Sequence, residues 1–124
     1  MISLENRQYG YYDGVFYEPY NNGYQVVPPP MGAYVPSIPD GFQQVMVGDQ
    51  TYFYFGGAFF IQNGGNYQVV AAPAGAVIYN LPEGATTQQV DSYNYLVYNG
   101  IYYLPIQING QPAYEVVELE DDNQ

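Results

Sequence analysis

Residues 55 to 84 read FGGAFFIQNGGNYQVVAAPAGAVIYNLPEG, and residues 12 to 41 read YDGVFYEPYNNGYQVVPPPMGAYVPSIPDG. The two stretches align without a gap at a spacing of 43 positions, and 11 of the 30 pairs are identical. The identical pairs are Gly14/Gly57, Phe16/Phe59, Tyr24/Tyr67, Gln25/Gln68, Val26/Val69, Val27/Val70, Pro30/Pro73, Gly32/Gly75, Ala33/Ala76, Pro39/Pro82 and Gly41/Gly84. A fixed period of this length is typical of a supersecondary unit repeated in tandem.

Within the repeat, short apolar blocks alternate with residue pairs that favour positive φ, which is the strongest short-range signal for β-hairpins. The turn pairs recur in all copies. They are Asp13-Gly14, Gly56-Gly57 and Asn99-Gly100 at one hairpin, and Asn22-Gly23, Asn63-Gly64 and Asn109-Gly110 at the next. Residues 31–73 predict five strands, at 33–35, 43–47, 51–55, 58–62 and 67–70. The connections are too short for crossover helices, so we expect each strand to run antiparallel to the next.

The last copy contains a predicted insertion. It keeps the spacing of 43 as far as Tyr103 and then changes to 47, since Tyr114, Val116 and Val117 match residues 67, 69 and 70. Four extra residues must therefore lie between Leu104 and Ala113. A hairpin tip tolerates such an insertion best.

These spacings predict four parts in the chain. Residues 1–30 are a partial N-terminal repeat with a Pro-rich connection, 31–73 and 74–119 are two β repeat units, and 120–124 are an acidic tail. In the partial repeat, residues 9–27 are expected to form two or three strands. Units of about 43 residues are too small to be stable alone, so we expect them to pack on each other. The partial repeat would then add strands to an edge or fill a groove.

The predicted fold class is therefore all-β, with tandem small antiparallel β-meander units. Closure of each unit into an SH3-like barrel and an open meander are both compatible with the pattern. The composition agrees, because 17 Tyr, 6 Phe, 14 Gly and 10 Pro in 124 residues favour short strands and frequent turns. Disorder, the alternative for a chain rich in Gly and Pro, is disfavoured by this aromatic content.

Charge excludes two classes of partner. One Arg, no Lys and 12 acidic residues give a formal net charge of −11. Nucleic acid and anionic membrane surfaces bind through Lys and Arg, so both would repel this chain. No 18-residue apolar run predicts a membrane span, and residues 1–8 lack the apolar core of a signal peptide, so any leader is absent from this sequence.

Catalysis has few candidate residues. Without His, Cys or Lys, only carboxylates and tyrosines remain for acid and base chemistry. A glycosidase-like carboxylate pair is the one enzyme class that the inventory permits. However, Asp40 and Glu83 are repeat equivalents that each precede a turn glycine, which favours a structural role. Turn acids could also bind calcium, but no run has acids at alternate positions. We therefore predict no enzyme activity, no metal site and no cofactor.

Tyrosines are the main candidates for binding residues in this sequence. The alternation in residues 51–55 places Tyr52 and Tyr54 on one face of a strand and two Phe on the other. One interpretation is that one set fills the core while the other reaches water. The functional interpretation is an exposed platform that stacks on glycans or a protein partner. Its candidate residues are Tyr52, Tyr54, Tyr95, Tyr98, Tyr102 and Tyr103.

The repeat resembles a known family. Its pattern is an aromatic, x, Gly, x, Phe and an aromatic, followed by Tyr-x-Val-Val-x-x-Pro-x-Gly-Ala and a later Pro-x-Gly. It stands here at 55–60, 67–84 and, in part, 98–117. This pattern is similar to a bacterial family of Tyr/Pro-rich envelope proteins, domain of unknown function family 6515. The resemblance implies an exported envelope or extracellular location and implies no activity, while this chain departs from it in its acidic tail.

Together these observations favour a non-enzymatic structural or protein-interaction module of the bacterial envelope or exterior. Its partner would be another protein, or further copies of the chain assembled through strand edges. The alternative function is a carbohydrate- or peptidoglycan-binding module that uses exposed tyrosines.

Overall fold

The residues that the structure describes contain fourteen β-strands, which are arranged in three antiparallel sheets. The structure is a computed structural model, and it describes residues 2–4 and 7–119. Within these ranges there is no helix. The prediction of an all-β fold is therefore confirmed, whereas the predicted acidic tail, residues 120–124, lies outside the described residues.

The first sheet contains four strands in sequence order: β1 (Ile2–Leu4), β2 (Arg7–Tyr12), β3 (Val15–Tyr20) and β4 (Gly23–Val27). The prediction of two or three strands over residues 9–27 is confirmed, since β2, β3 and β4 lie there, but the strand before them, β1, was not predicted. β1 pairs with β2 from Ile2↔Tyr9 to Leu4↔Arg7. The missed strand is short, and no glycine pair in the sequence separates it from the next strand.

The middle and C-terminal sheets contain five strands each. The middle sheet is formed by β5 (Tyr34–Val35), β6 (Gln43–Val47), β7 (Gln50–Phe55), β8 (Ala58–Asn63) and β9 (Asn66–Val70). The C-terminal sheet is formed by β10 (Val77–Ile78), β11 (Thr86–Val90), β12 (Tyr93–Tyr98), β13 (Ile101–Ile108) and β14 (Gln111–Val117). The strand orders are β5-β9-β8-β7-β6 and β10-β14-β13-β12-β11, so the two sheets have the same topology.

The four long strands of each sheet form the predicted meander, but the short strand does not join it in sequence order. β5 pairs with β9, the last strand of its unit, and β10 pairs with β14 in the same way. The expectation that every strand lies beside the next one is thus wrong for β5 and β10. Residues 36–42, with two prolines, are longer than a tight hairpin turn and allow the chain to cross. All three sheets are open, so the SH3-like barrel is not formed.

Two-residue turns join the long strands, as the positive-φ pairs predicted. Asp13 and Gly14 have φ of 52° and 83°, and Asn99 and Gly100 have 53° and 78°, which are the signs of a type I′ turn. At two hairpins the predicted pair is off by one residue. Tyr20 pairs with Gly23, so the turn residues there are Asn21 and Asn22. Asn63 pairs with Asn66, so the turn residues at the equivalent hairpin of the middle sheet are Gly64 and Gly65.

The predicted insertion lies at a hairpin tip, and this prediction is confirmed. β13 and β14 have 8 and 7 residues, compared with 6 and 5 in β8 and β9. The pairing continues without a bulge from Tyr102↔Val117 to Ile108↔Gln111. The four extra residues therefore extend both strands by two residues each.

The chain divides into two compact units, Met1–Ala71 and Ala72–Gln124. The first unit contains the first two sheets, and one core cluster joins them. Phe16 of β3, which is 1% exposed, packs with residues of the middle sheet. These residues are Ala33, Val35, Ala58, Phe60 and Val69. In the second unit Ala76, Ile78, Tyr103, Ala113 and Val116 are buried.

Candidate functional site

None of the six tyrosines of the predicted platform is fully exposed. Tyr54, Tyr95 and Tyr103 are buried, with 4%, 8% and 0% of their surface exposed. Tyr52, Tyr98 and Tyr102 are half-buried. The interpretation in which all six form one exposed platform is therefore wrong, because three of them are buried. Whether any of them contacts a ligand stays a prediction.

Tyr95 and Tyr102 do lie together, in a row with a tyrosine that the sequence analysis missed. The ring centroids of Tyr93 and Tyr95 are 6.2 Å apart, and those of Tyr95 and Tyr102 are 6.0 Å apart with an edge-to-face angle of 80°. Tyr93 is 60% exposed. Strand alternation from Tyr95 to Tyr93 was the signal that could have found it.

Tyr98 and Tyr103 belong to the opposite face of the same sheet. Leu96 pairs with Tyr103 and Val97 with Tyr102, so neighbouring tyrosines on β13 point to different sides. The Tyr103 hydroxyl is buried and has no hydrogen-bond partner in the described part of the chain. Burial, and secondarily the nearby Tyr98 hydroxyl, raises the pKa of Tyr103. The equivalent residue of the middle sheet is Phe60, which has no hydroxyl to satisfy.

We expect Tyr103→Phe to raise the free energy of unfolding by about 1 kcal/mol, because a buried hydroxyl without a partner costs about 1 to 3 kcal/mol. Urea denaturation measures the change. Tyr11→Phe is the matched control, since the Tyr11 hydroxyl donates a 2.8 Å hydrogen bond to the Ser37 carbonyl oxygen. That variant should be less stable than the wild type. A loss of stability in Tyr103→Phe would show that its hydroxyl has a partner.

The stability of the wild type and of Tyr103→Phe should depend differently on pH. The raised pKa keeps Tyr103 protonated in the folded chain at a pH where the unfolded chain loses this proton, near 10. The wild type should therefore lose stability as the pH rises above about 10. The loss should be smaller in Tyr103→Phe.

A second candidate site is the outer edge of β4, and the two complete sheets show what normally covers such an edge. In the middle sheet, the Gly32 N–H donates to the Val69 carbonyl (2.9 Å) and the Val69 N–H donates to the Ala33 carbonyl (2.8 Å). The C-terminal sheet repeats these bonds at 2.9 and 2.8 Å. Its residues are Gly75, Ala76 and Val116. The covering segment therefore has the sequence Pro-x-Gly-Ala-x-Val or Pro-x-Gly-Ala-x-Ile.

In the first sheet this edge is open. β4 ends the strand order, and no strand pairs with its outer side among residues 2–4 and 7–119. Tyr17 pairs with Val26 as Phe60 pairs with Val69. The backbone N–H and C=O of Val26 must therefore point away from β3. Val26 is 66% exposed, whereas Val69 is 1% exposed.

Side chains on one face of the first sheet, extending from this edge, form a partly exposed apolar surface, which we call the outer face of the first sheet. It consists of Tyr12, Val15, Tyr17, Tyr24 and Val26, which share one face by the pairing of β2, β3 and β4. Tyr12 is 76% exposed and Tyr24 is 63% exposed. The same five positions of the middle sheet all lie in the core cluster around Phe16 or pack against it. They are Phe55, Ala58, Phe60, Tyr67 and Val69.

Two further properties of the described residues concern metal binding and membrane spanning. Among the described residues, no group of three or more acidic side chains is placed to hold a metal ion. The part of the chain with described structure also contains no helix that is long and apolar enough to cross a membrane.

Comparisons with known proteins give a family and no function. No curated protein and no solved structure matches the chain. A family model described as a family of unknown function, DUF6515, matches residues 1–120. Because this match covers nearly the whole sequence, the chain belongs to the DUF6515 family of unknown function.

Proposed function

We propose that the chain is a non-enzymatic protein-interaction module that binds an extended segment of a partner protein along the outer edge of β4. The observation that carries this proposal is the contrast between repeats. The equivalent edges of β9 and β14 are both covered by a short strand, whereas that of β4 is not. Residues 24–27 are nevertheless identical to residues 67–70. Strand addition to an exposed edge is a common mode of peptide recognition.

Exposed strand edges also favour non-specific aggregation, which the charge of this chain opposes. A net charge of −11 keeps copies of the chain apart and favours a neutral or basic partner. The apolar outer face offers a bound partner segment apolar contact area in addition to main-chain hydrogen bonds. Edge, outer face and charge thus support a heterologous partner.

Val26→Pro is the sharpest test of this site. Proline removes the outward N–H of Val26 while leaving the donors of the β3–β4 ladder in place, and edge strands tolerate proline at such positions. We expect peptides selected from a random library on the wild-type chain to lose binding to Val26→Pro. Val26→Thr keeps both the N–H and the shape of the side chain, so it should retain them.

Two control measurements are needed for this experiment. Circular dichroism must show that Val26→Pro is folded, and amide chemical shifts must place bound peptides at residues 23–27. A library that yields no peptide distinguishing the wild type from Val26→Pro would contradict the proposed function.

A second candidate function is carbohydrate binding by the tyrosine row. The observation that favours it is the contact of the exposed Tyr93 ring with Tyr95, which continues to Tyr102. Aromatic rings in such a row can stack on sugar faces. Titration of glycans and peptidoglycan fragments should change the tyrosine fluorescence of the wild type but not of Tyr93→Ala. Tyr12→Ala, which removes an exposed tyrosine elsewhere, is the control, and a flat titration of the wild type would exclude this function.

We also propose that the protein acts in the bacterial envelope or exterior. The support is the resemblance of the repeat pattern to exported envelope proteins. Cell fractionation and antibody labelling of intact cells would test the location. Recovery of the protein in the cytoplasm alone would contradict it.

A further inference from the structure

We infer that the partner segment bound by β4 has the sequence pattern Pro-x-Gly-Ala-x-Val or Pro-x-Gly-Ala-x-Ile, supplied by another protein chain. This inference rests on the proposed function and specifies its partner. The pattern is that of the two segments that cover the equivalent edges within this chain, residues 30–35 and 73–78.

The backbone conformation of the covering segments explains why the pattern has a glycine at its third position. Gly32 and Gly75 have φ of 86° and 94°, a conformation that other residues rarely adopt. This conformation lets the segment turn onto the edge, where the glycine N–H reaches the valine carbonyl. The next residue donates its own N–H back to the proline carbonyl, at 3.2 Å in both copies. A partner without this glycine could not make the same turn.

Packing explains the alanine and the β-branched residue. Ala33 and Ala76 are 1% and 0% exposed, and Val35 and Ile78 are equally buried. At these enclosed positions a side chain larger than alanine would have to displace its packed neighbours. On β4, the partner valine would lie opposite Tyr24, as Val35 lies opposite Tyr67. Its side chain would cover part of the outer face.

A glutamine of β4 could donate a hydrogen bond to the partner segment, as its equivalent on β9 does to the covering segment. The Gln68 amide nitrogen donates to the Gly32 carbonyl oxygen at 3.3 Å, which fixes the covering segment. Gln25 is the matching residue, and its amide nitrogen lies 3.2 Å from a carboxylate oxygen of Glu18 on the neighbouring strand. Rotation of the Gln25 side chain would bring this donor to the glycine carbonyl of a partner.

A second copy of this chain fits the edge less well than another protein. Both segments with the required pattern, at residues 30–35 and 73–78, already pair within their own sheets. After the last copy, at the spacing of 47, Asp122 and Asn123 stand at the positions of Gly75 and Ala76. The carboxylate of Asp122 at the glycine position would be repelled by a chain of charge −11.

The test uses the full chain and a labelled synthetic peptide with the sequence of residues 30–36, Pro-Met-Gly-Ala-Tyr-Val-Pro. Fluorescence anisotropy should show saturable binding, and amide shifts should move at residues 23–27. Two peptide variants are the controls, one with valine in place of glycine and one with tyrosine in place of alanine. We expect each to bind at least roughly tenfold more weakly. Gln25→Ala should weaken the parent peptide, whereas Tyr20→Ala, an exposed change on β3, should not.

The outcomes separate this inference from the proposed function. Equal binding of the three peptides, or binding of library peptides without the pattern while the parent peptide fails, would overturn the inference and leave strand addition intact. Failure of every peptide would overturn both. Self-association of the wild type that Val26→Pro abolishes would also overturn the inference, because the occupant would then be a second copy.

Discussion

Phe16→Ala should lower the free energy of unfolding of the first unit by about 3 to 5 kcal/mol, which is typical for loss of a fully buried Phe side chain. The Phe16 ring is 1% exposed and packs on residues of the middle sheet. Its centroid lies 4.9 Å from that of Tyr11 on the adjacent strand. The substitution leaves a cavity between two sheets, and small domains have total stabilities of about 5 to 15 kcal/mol. The variant should therefore be close to unfolding.

Chemical denaturation combined with hydrogen exchange measures this effect. Tyr20→Ala is the matched control, because Tyr20 lies on the same face of β3 as Phe16 but is 55% exposed. That change should alter the stability by about 0.5 kcal/mol or less. In Phe16→Ala, amides of β2–β4 should lose protection before those of β7–β9. Equal effects of the two substitutions would show that the first sheet does not pack on the middle sheet.

Gly14→Ala should be the second strongly destabilising change, and Gly100→Ala gives the comparison. Both glycines occupy the second position of equivalent turns, with φ of 83° and 78°. An alanine in this conformation costs about 1 to 2 kcal/mol at either site. At Gly14 the new Cβ would also collide with the Phe55 ring and lie 3.3 Å from the Pro39 ring, whereas at Gly100 nothing lies within 4 Å.

The expected result is a loss of about 1 to 2 kcal/mol for Gly100→Ala and a further loss of about 1 to 3 kcal/mol for Gly14→Ala, the usual range for overpacking. Thermal denaturation of both variants under identical conditions gives the difference. This difference isolates the contact of the first hairpin with the middle sheet from the strain of the turn. Similar values for the two variants would mean that the Phe55 ring moves aside without cost.

The sequence predicted most of the hairpins because their turns are local. A type I′ turn needs two consecutive residues with positive φ, and Asp13-Gly14, Gly56-Gly57 and Asn99-Gly100 provide them without help from distant residues. The insertion before Tyr114 was equally predictable, since a change of spacing between copies must lie between the last matched and first rematched residues. β1 was missed for the converse reason, because no such turn pair precedes β2.

The candidate site was less predictable. The rings of Tyr95 and Tyr102 are in contact, but Tyr54, Tyr95 and Tyr103 are all buried. Strand alternation tells which side chains share a face and does not tell which face is covered. An incomplete N-terminal copy was predicted from the repeat spacing, but which edge it leaves open depends on strand pairing.

By itself, the sequence determined that this protein is a tandem all-β repeat with tight hairpins and an acidic surface charge, because turn chemistry, spacing and charge are properties of neighbouring residues. Only the tertiary structure decided that β5 and β10 pair with the last strand of their units. That pairing joins residues more than 30 positions apart, and its selection depends on which edge a buried Ala and Val can cover. The open edge of β4 becomes visible only through this pairing.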